Sequence, residues 1–165
     1  MRGVFLQFWL MLFLLAGCAS APPAIQGPVV PAPADGLMTH RAVLKALGKE
    51  FPLTGYLAVS HDLGMRLIVS ESFGQQLADV LVKPDGSIHV MKAGPMLKAR
   101  QIKKYLGADL KCLFSKSETL CPVSVLSTNH VILKRRWYQL DLRIVETRPG
   151  AQPAALFDET TALKP

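Results

Sequence analysis

The strongest constraint on the fold is a series of short, mostly apolar runs between Gly55 and Lys92, separated by turn residues. Residues 56–61 and 65–70 flank a turn containing Asp62 and Gly64, and residues 77–83 and 87–92 flank Pro84-Asp85-Gly86. Runs of this length bounded by Asp, Gly and Pro read as strands, and Asp-Gly between two of them is a strong hairpin signal. The four runs predict one antiparallel meander. Both of its faces carry apolar residues. Met65, Leu67 and Val69 alternate with a face that still holds Ile68, and Leu77 and Leu81 oppose Ala78, Val80 and Val82. A sheet apolar on both faces has to be covered on both, or curve around something.

Around this meander the periodicity changes. Thr39 as an N-cap, followed by Val43, Leu44 and Leu47 on one side and Gly48 as a stop, predicts a short helix before the sheet. Residues 97–114 return to helical spacing, with Ile102, Leu106, Leu110 and Leu113 on one side and Arg100, Lys103, Lys104 and Lys111 largely on the other. Gly107 is expected to divide this segment into a main helix and a short second turn. Residues 123–134 read as one strand, irregular near Thr128-Asn129. Residues 137–146 alternate cleanly, Tyr138, Leu140, Leu142 and Ile144 against Gln139, Asp141 and Arg143. After Pro149 and Gly150 no pattern is sustained, and residues 149–165 are expected to be a flexible tail. The fold class expected is therefore α+β, a curved antiparallel sheet covered by short helices.

The first residues belong to a different regime. Arg2 is followed by residues 4–15, in which only Gln7 is polar, and then by Leu15-Ala16-Gly17-Cys18. A charged start, an apolar core and small residues before the cut form the three-part pattern of a secretory signal. The apolar run falls short of the roughly 20 residues of a membrane-spanning helix. Its end resembles the bacterial lipobox, which implies cleavage after residue 17 and lipidation of Cys18. An ordinary secretory signal with a chance cysteine is the other reading. Residues 18–36 hold five prolines and little charge, so they read as a semi-extended tether, with the globular domain at 37–148. Ala19, directly after the lipidated cysteine, is not the aspartate of inner-membrane retention. The expectation is thus an outer-membrane anchor facing the periplasm.

The formal charge is +7, and removal of residues 1–17 takes only Arg2 from it. Excess positive charge favours anionic partners. For an exported lipoprotein, lipid headgroups fit better than nucleic acid. Solvated lysines without an anionic ligand are the alternative. Of the three cysteines, acylation of Cys18 leaves Cys112 and Cys121 as an even pair in an oxidising compartment. Their spacing matches neither a zinc motif nor a CxxC redox motif, so a structural disulfide is expected; two free buried thiols are the competing possibility.

Catalytic motifs are hard to find. No Gly-x-Ser-x-Gly elbow, Ser-x-x-Lys or phosphate-cradling glycine loop occurs, and His40, His61, His89 and His130 are scattered without metal-ligand spacing. His61 and Asp62 are adjacent, and neighbours on a strand point to opposite faces. The expectation is a protein that is not an enzyme and needs no cofactor or metal. A curved sheet capped by helices could instead enclose an apolar cavity, with Met65, Met91 and Met96 as an adaptable lining or as filling for a closed core.

With short helices around a β-meander, the stretch Arg66-Leu67-Ile68-Val69-Ser70-Glu71-Ser72-Phe73-Gly74-Gln75-Gln76-Leu77 resembles the LolA/LolB lipoprotein-trafficking superfamily over about residues 38–147. Phe73 and Gly74 match the apolar residue and glycine of a protruding loop in LolB. The resemblance implies a half-barrel and an exposed tip at Phe73-Gly74 that touches membrane or ligand; Phe73 folded back over the sheet is the structural alternative. The domain is shorter than LolB, its helix is unusually basic, and a Cys112–Cys121 bridge is not part of the LolB pattern. The function implied is binding of acyl chains of a lipoprotein or membrane lipid by a monomer, with delivery to the outer membrane. Met65, Leu67, Leu81, Val90 and Leu142 are the candidate lining, and Lys103, Lys104, Arg135 and Arg136 the candidate contacts to anionic headgroups. The rival function is a non-catalytic accessory lipoprotein docking on an envelope protein partner.

Overall fold

The computed structural model describes residues 29–95, 97–115 and 121–160. The signal segment, Cys18 and most of the tether lie outside the described residues. Eight antiparallel strands form one open sheet in the order β5-β4-β3-β2-β1-β8-β7-β6. They are β1 (Gly36–Ala46), β2 (Lys49–Ser60), β3 (Gly64–Glu71), β4 (Gln76–Val82), β5 (Ile88–Ala93), β6 (Val123–Ser127), β7 (His130–Lys134) and β8 (Tyr138–Pro149). Strands β2 to β5 are the expected meander, joined through the expected turns. The described residues are mostly β, with one helical segment packed on the sheet where several short helices were expected.

That difference begins at β1. Its residues were expected to start with a helix, and instead they form the strand between β2 and β8, paired along both sides from Gly36 to Ala46. Met38, His40 and Ala42 are buried at period two. Val43, Leu44 and Leu47 suit a helix locally, but both neighbouring strands offer this backbone a complete set of hydrogen bonds, and tertiary pairing overrides a weak local signal. Gly48 does adopt the positive φ of a helix stop, at 72°, but as the second residue of the β1–β2 turn, after Leu47 at 52°. A second difference lies at residues 123–134, which form a hairpin of β6 and β7 rather than one strand.

The helical segment is continuous. It runs from Ala99–Gln101 through a π-helical stretch, Ile102–Leu106, into Gly107–Phe114. Gly107 therefore does not divide it. A Cβ there would stand 2.7 Å from Ile88 Cδ1, so glycine is what lets the helix approach β5. Ile102, Leu110 and Leu113 pack with Met38, Leu57 and Leu67 in the main core on one face of the sheet. The described chain already contributes to this core at Val30, which is buried and donates its N–H to Leu113 O at 3.0 Å, upstream of the expected start at residue 37.

The opposite face is covered over β3 and β4 by the segment expected to be loose. A 3-10 turn, Ala154–Phe157, buries Phe157 against Ala58 and Leu81. Beneath it Arg66 donates from Nε and Nη2 to Asp79 Oδ1 and Oδ2 at 2.9 and 2.7 Å, and from Nη1 to Leu156 O at 2.8 Å. Both ionic side chains are only 2% exposed. This is how the doubly apolar strands of the meander are covered on both sides. Cys112, near the end of the helix, is disulfide-bonded to Cys121, with Cα atoms 5.7 Å apart.

Candidate functional site

The helix is fixed to the far side of the sheet by one buried carboxylate. Asp109 Oδ1 accepts from Arg135 Nε and Nη2 at 3.0 and 2.8 Å, and its Oδ2 accepts from the Tyr138 hydroxyl. Burial pushes the Asp109 carboxyl above its ordinary range, opposed by the bonds from Tyr138 and Arg135. Burial and the bond to Asp109 also hold the Tyr138 hydroxyl well above its ordinary range. Arg135, a candidate headgroup contact, is thus engaged by Asp109. Lys111 is likewise engaged, donating to Gly86 O at 2.9 Å.

Between helix and sheet lies a small apolar cavity of about 50 Å³, bordered by Leu67 and Leu142 among others. His40 stands at its wall, buried, and a Cβ on Gly55 would fall 2.0 Å from its Nε2. Burial lowers the His40 pKa to about 4, so the ring is neutral at pH 7, and among the described residues its Nδ1 has no hydrogen-bond partner. Leu67 and Leu142 border this small space, and Met65 lies in the same core. The space is several-fold below the roughly 300–1,000 Å³ of ligand pockets. Leu81 belongs to the opposite face, in the cluster with Phe157. Adjacent residues of a strand alternate faces, so no single cavity on one side of this sheet takes both Leu81 and Leu67.

A larger space, about 570 Å³ and open, follows the outer edge of β5. Ile88, Val90 and Met91 give it apolar surface, and Arg100 and Lys103 stand on the helical wall. Glu159 forms the other wall, held by Lys83 and by His89 Nδ1 at 3.3 Å. Sequence reasoning placed Val90 and Lys103 in two different roles, and the structure brings them to one groove. Arg100, His89 and Glu159 were not singled out; the only sequence signal for Arg100 was its position on the basic side of the helix.

Phe73 projects fully from the β3–β4 turn, 96% exposed, where Gly74 has φ 83° and donates to Glu71 O at 2.9 Å. Lys104 Nζ lies 5.3 Å from the Tyr105 ring centroid, and the Arg136 guanidinium 4.8 Å from that of Trp137. His61 and Asp62 occupy the exposed β2–β3 turn, where the His61 N–H donates to Asp35 Oδ1 at 3.1 Å. A His–carboxylate contact unforeseen from sequence, His130 Nε2 to Asp141 Oδ1 at 2.8 Å, joins β7 to β8. Among the described residues no group of three or more His, Cys, Asp or Glu is placed to hold a metal ion, and no helix is long and apolar enough to cross a membrane. Compared with known proteins, the chain matches no protein-family model and no curated sequence.

Proposed function

We propose that this chain is a LolB-like lipoprotein, anchored through Cys18 to the outer membrane and facing the periplasm. It is non-catalytic, binds the acyl portion of a lipoprotein or lipid, and assists delivery to the membrane. The observation that carries this reading is the β5 groove. It combines ligand-pocket volume, apolar surface from Ile88, Val90 and Met91, and two cations on its helical wall across from Glu159, whose charge is met by Lys83; that combination suits an anionic amphiphile. Each methylene moved from water onto that surface contributes at most about 0.8 kcal/mol, and an open groove recovers only part of it, which suits a carrier that must release its cargo. An open eight-stranded antiparallel sheet with a helix packed on one face is compatible with a half-barrel.

The test is native mass spectrometry with lipid extraction on the full chain purified from a bacterial envelope. An acyl-bearing species that co-purifies, and is lost in Arg100→Glu/Lys103→Glu, supports the reading. A ligand-free mass that stays unchanged after incubation with phosphatidylglycerol and with a lipoprotein would refute it. A second reading, an accessory protein docking on an envelope assembly, is favoured by β6, the edge strand of the sheet among the described residues, where Val125 and Leu126 are exposed.

A further inference from the structure

The register places two exposed apolar side chains side by side at one end of the sheet. Ala46 of β1 pairs with Lys49 of β2 and with Tyr138 of β8. Leu47 and Trp137 each lie one residue past that level, at the turns of adjacent hairpins, and are 94% and 66% exposed. The β3–β4 turn is at the same end of the sheet but set back. Its last paired residue, Glu71, is level through Leu53 with Ala42, so Phe73 trails Leu47 by about three residues, or roughly 10 Å at 3.3 Å per residue. The leading apolar tips are thus Leu47 and Trp137.

Leu47 is also a poor choice for its own backbone. Its φ of 52° and the 72° of Gly48 describe a two-residue turn with both centres left-handed, which favours Asn-Gly or Asp-Gly. Leucine in that conformation is strained, and its side chain gains almost nothing from the core. The charge around the tips is one-sided. Of the five cations in residues 45–51 and 134–138, Lys45 is paired with Glu50 at 2.7 Å and Arg135 with Asp109 at 2.8 Å, which leaves Lys49, Lys134 and Arg136 as the positive charge at the tips. Arg136 stacks on Trp137, a pairing of cation and amphipathic ring suited to the headgroup level of a bilayer.

We infer that the adjoining ends of the β1–β2 and β7–β8 hairpins, led by Leu47 and Trp137, dock on an anionic lipid bilayer. The leucine and indole enter the acyl boundary while Lys49, Lys134 and Arg136 meet lipid phosphates. No groove residue takes part, so this contact stands or falls separately from the cargo reading.

The test uses the full chain carrying Trp9→Phe, which leaves Trp137 as its only tryptophan. It is mixed with phosphatidylethanolamine–phosphatidylglycerol vesicles with or without bromine on the acyl chains. Trp137 fluorescence should shift to the blue, be quenched by the brominated chains and become shielded from iodide. Phosphatidylcholine vesicles or high salt should weaken all three effects. Lys49→Gln should lower the ratio of inserted to free tip about five-fold, the equivalent of roughly 1 kcal/mol per cation at an anionic surface. Leu47→Asn should lower it about ten-fold, from the lost burial of a leucine, while the melting temperature holds or rises because Asn-Gly suits the turn. A Trp137 that stays open to iodide and unquenched on these vesicles overturns the inference and leaves the tips to a protein partner. Quenching abolished by Phe73→Ser but untouched by Leu47→Asn overturns it as well, because the leading tip would then be the β3–β4 turn.

Discussion

Removing the carboxylate of Asp79 should be the most damaging single change to this fold that deletes no apolar surface. Arg66 and Asp79 sit 2% exposed between the sheet and the 3-10 turn, where the guanidinium donates two short bonds to the carboxylate and one to Leu156 O. Asp79→Asn preserves shape but removes the carboxylate charge that the buried guanidinium meets through two bonds, and breaking a buried pair costs about 3–5 kcal/mol. That is a large part of the roughly 5–15 kcal/mol by which a domain of this size is stable. The companion variant Arg66→Met/Asp79→Leu removes both charges. Well-packed apolar replacements for a buried pair are often neutral or better, but Leu156 O loses its donor at a cost of about 1–3 kcal/mol, so the double variant should be much closer to the parent. Equilibrium urea unfolding measures both, and proteolysis between residues 150 and 160 reports whether the covering segment has lifted. A loss below about 1 kcal/mol for Asp79→Asn, the value of a solvent-exposed pair, would refute the reasoning, as would a double variant that falls as far as the single one.

Three further outcomes are expected. His40 titrates near 6.5 when unfolded and at about 4 when folded, so the unfolded chain binds its proton first. Stability should therefore fall as pH drops from about 6.5 to about 4, by roughly 3 kcal/mol at 1.36 kcal/mol per pKa unit, and His40→Met should flatten that part of a urea-midpoint-against-pH curve. Reducing the Cys112–Cys121 bridge, or replacing both cysteines by alanine, should lower stability by about 2.5–3 kcal/mol for a loop of this length, seen as a lower urea midpoint. Leu47→Asn should raise the stability of the soluble protein by about 1 kcal/mol; a fall would mean that the leucine packs on the domain after all.

The meander was legible because two independent signals agreed there, alternating apolar residues within each run and Asp, Gly or Pro between runs. Where only one signal existed, the reading went astray. Gly48 was recognised as a residue needing a left-handed backbone, but that conformation serves a helix stop and a tight hairpin equally, and nothing local distinguishes them. The β6–β7 turn at Thr128-Asn129 carries neither glycine nor proline, so two strands looked like one. The covering of the second face was invisible for another reason. Among the described residues of that segment Leu156 and Phe157 supply the apolar packing, too few for any periodicity, and it is held down by a backbone carbonyl bonding to a side chain ninety residues earlier. The site followed the same division. Exposure of Phe73 could be foreseen from a turn, whereas Leu47 and Trp137 become neighbours only through the register of β1 with β8.

The packing also separates the two roles proposed for this molecule. With the helix on one face and residues 154–157 on the other, the interior is filled down to a cavity of about 50 Å³, and Met65, Leu67 and Leu142 are core before they are lining. An acyl chain that binds here has to lie where the sheet ends, and β5 is the edge flanked by both Arg100 and Lys103. Two of the basic side chains that could have met anions elsewhere are already occupied, Lys111 by Gly86 O and Arg135 by Asp109. The Arg135 contact ties the base of the Trp137 turn to the helix, and the helix forms one wall of the β5 groove. Asp109 therefore sits between the two surfaces, in contact with Tyr138 beside one and on the same helix as Lys103 beside the other. If cargo and membrane are felt by each other in this protein, the coupling has to pass through that helix. Asp109→Asn, which keeps the shape but weakens the bonds from Arg135 and Tyr138, should then alter cargo retention in the groove and Trp137 insertion together. Effects confined to one of them would show that the two surfaces act independently.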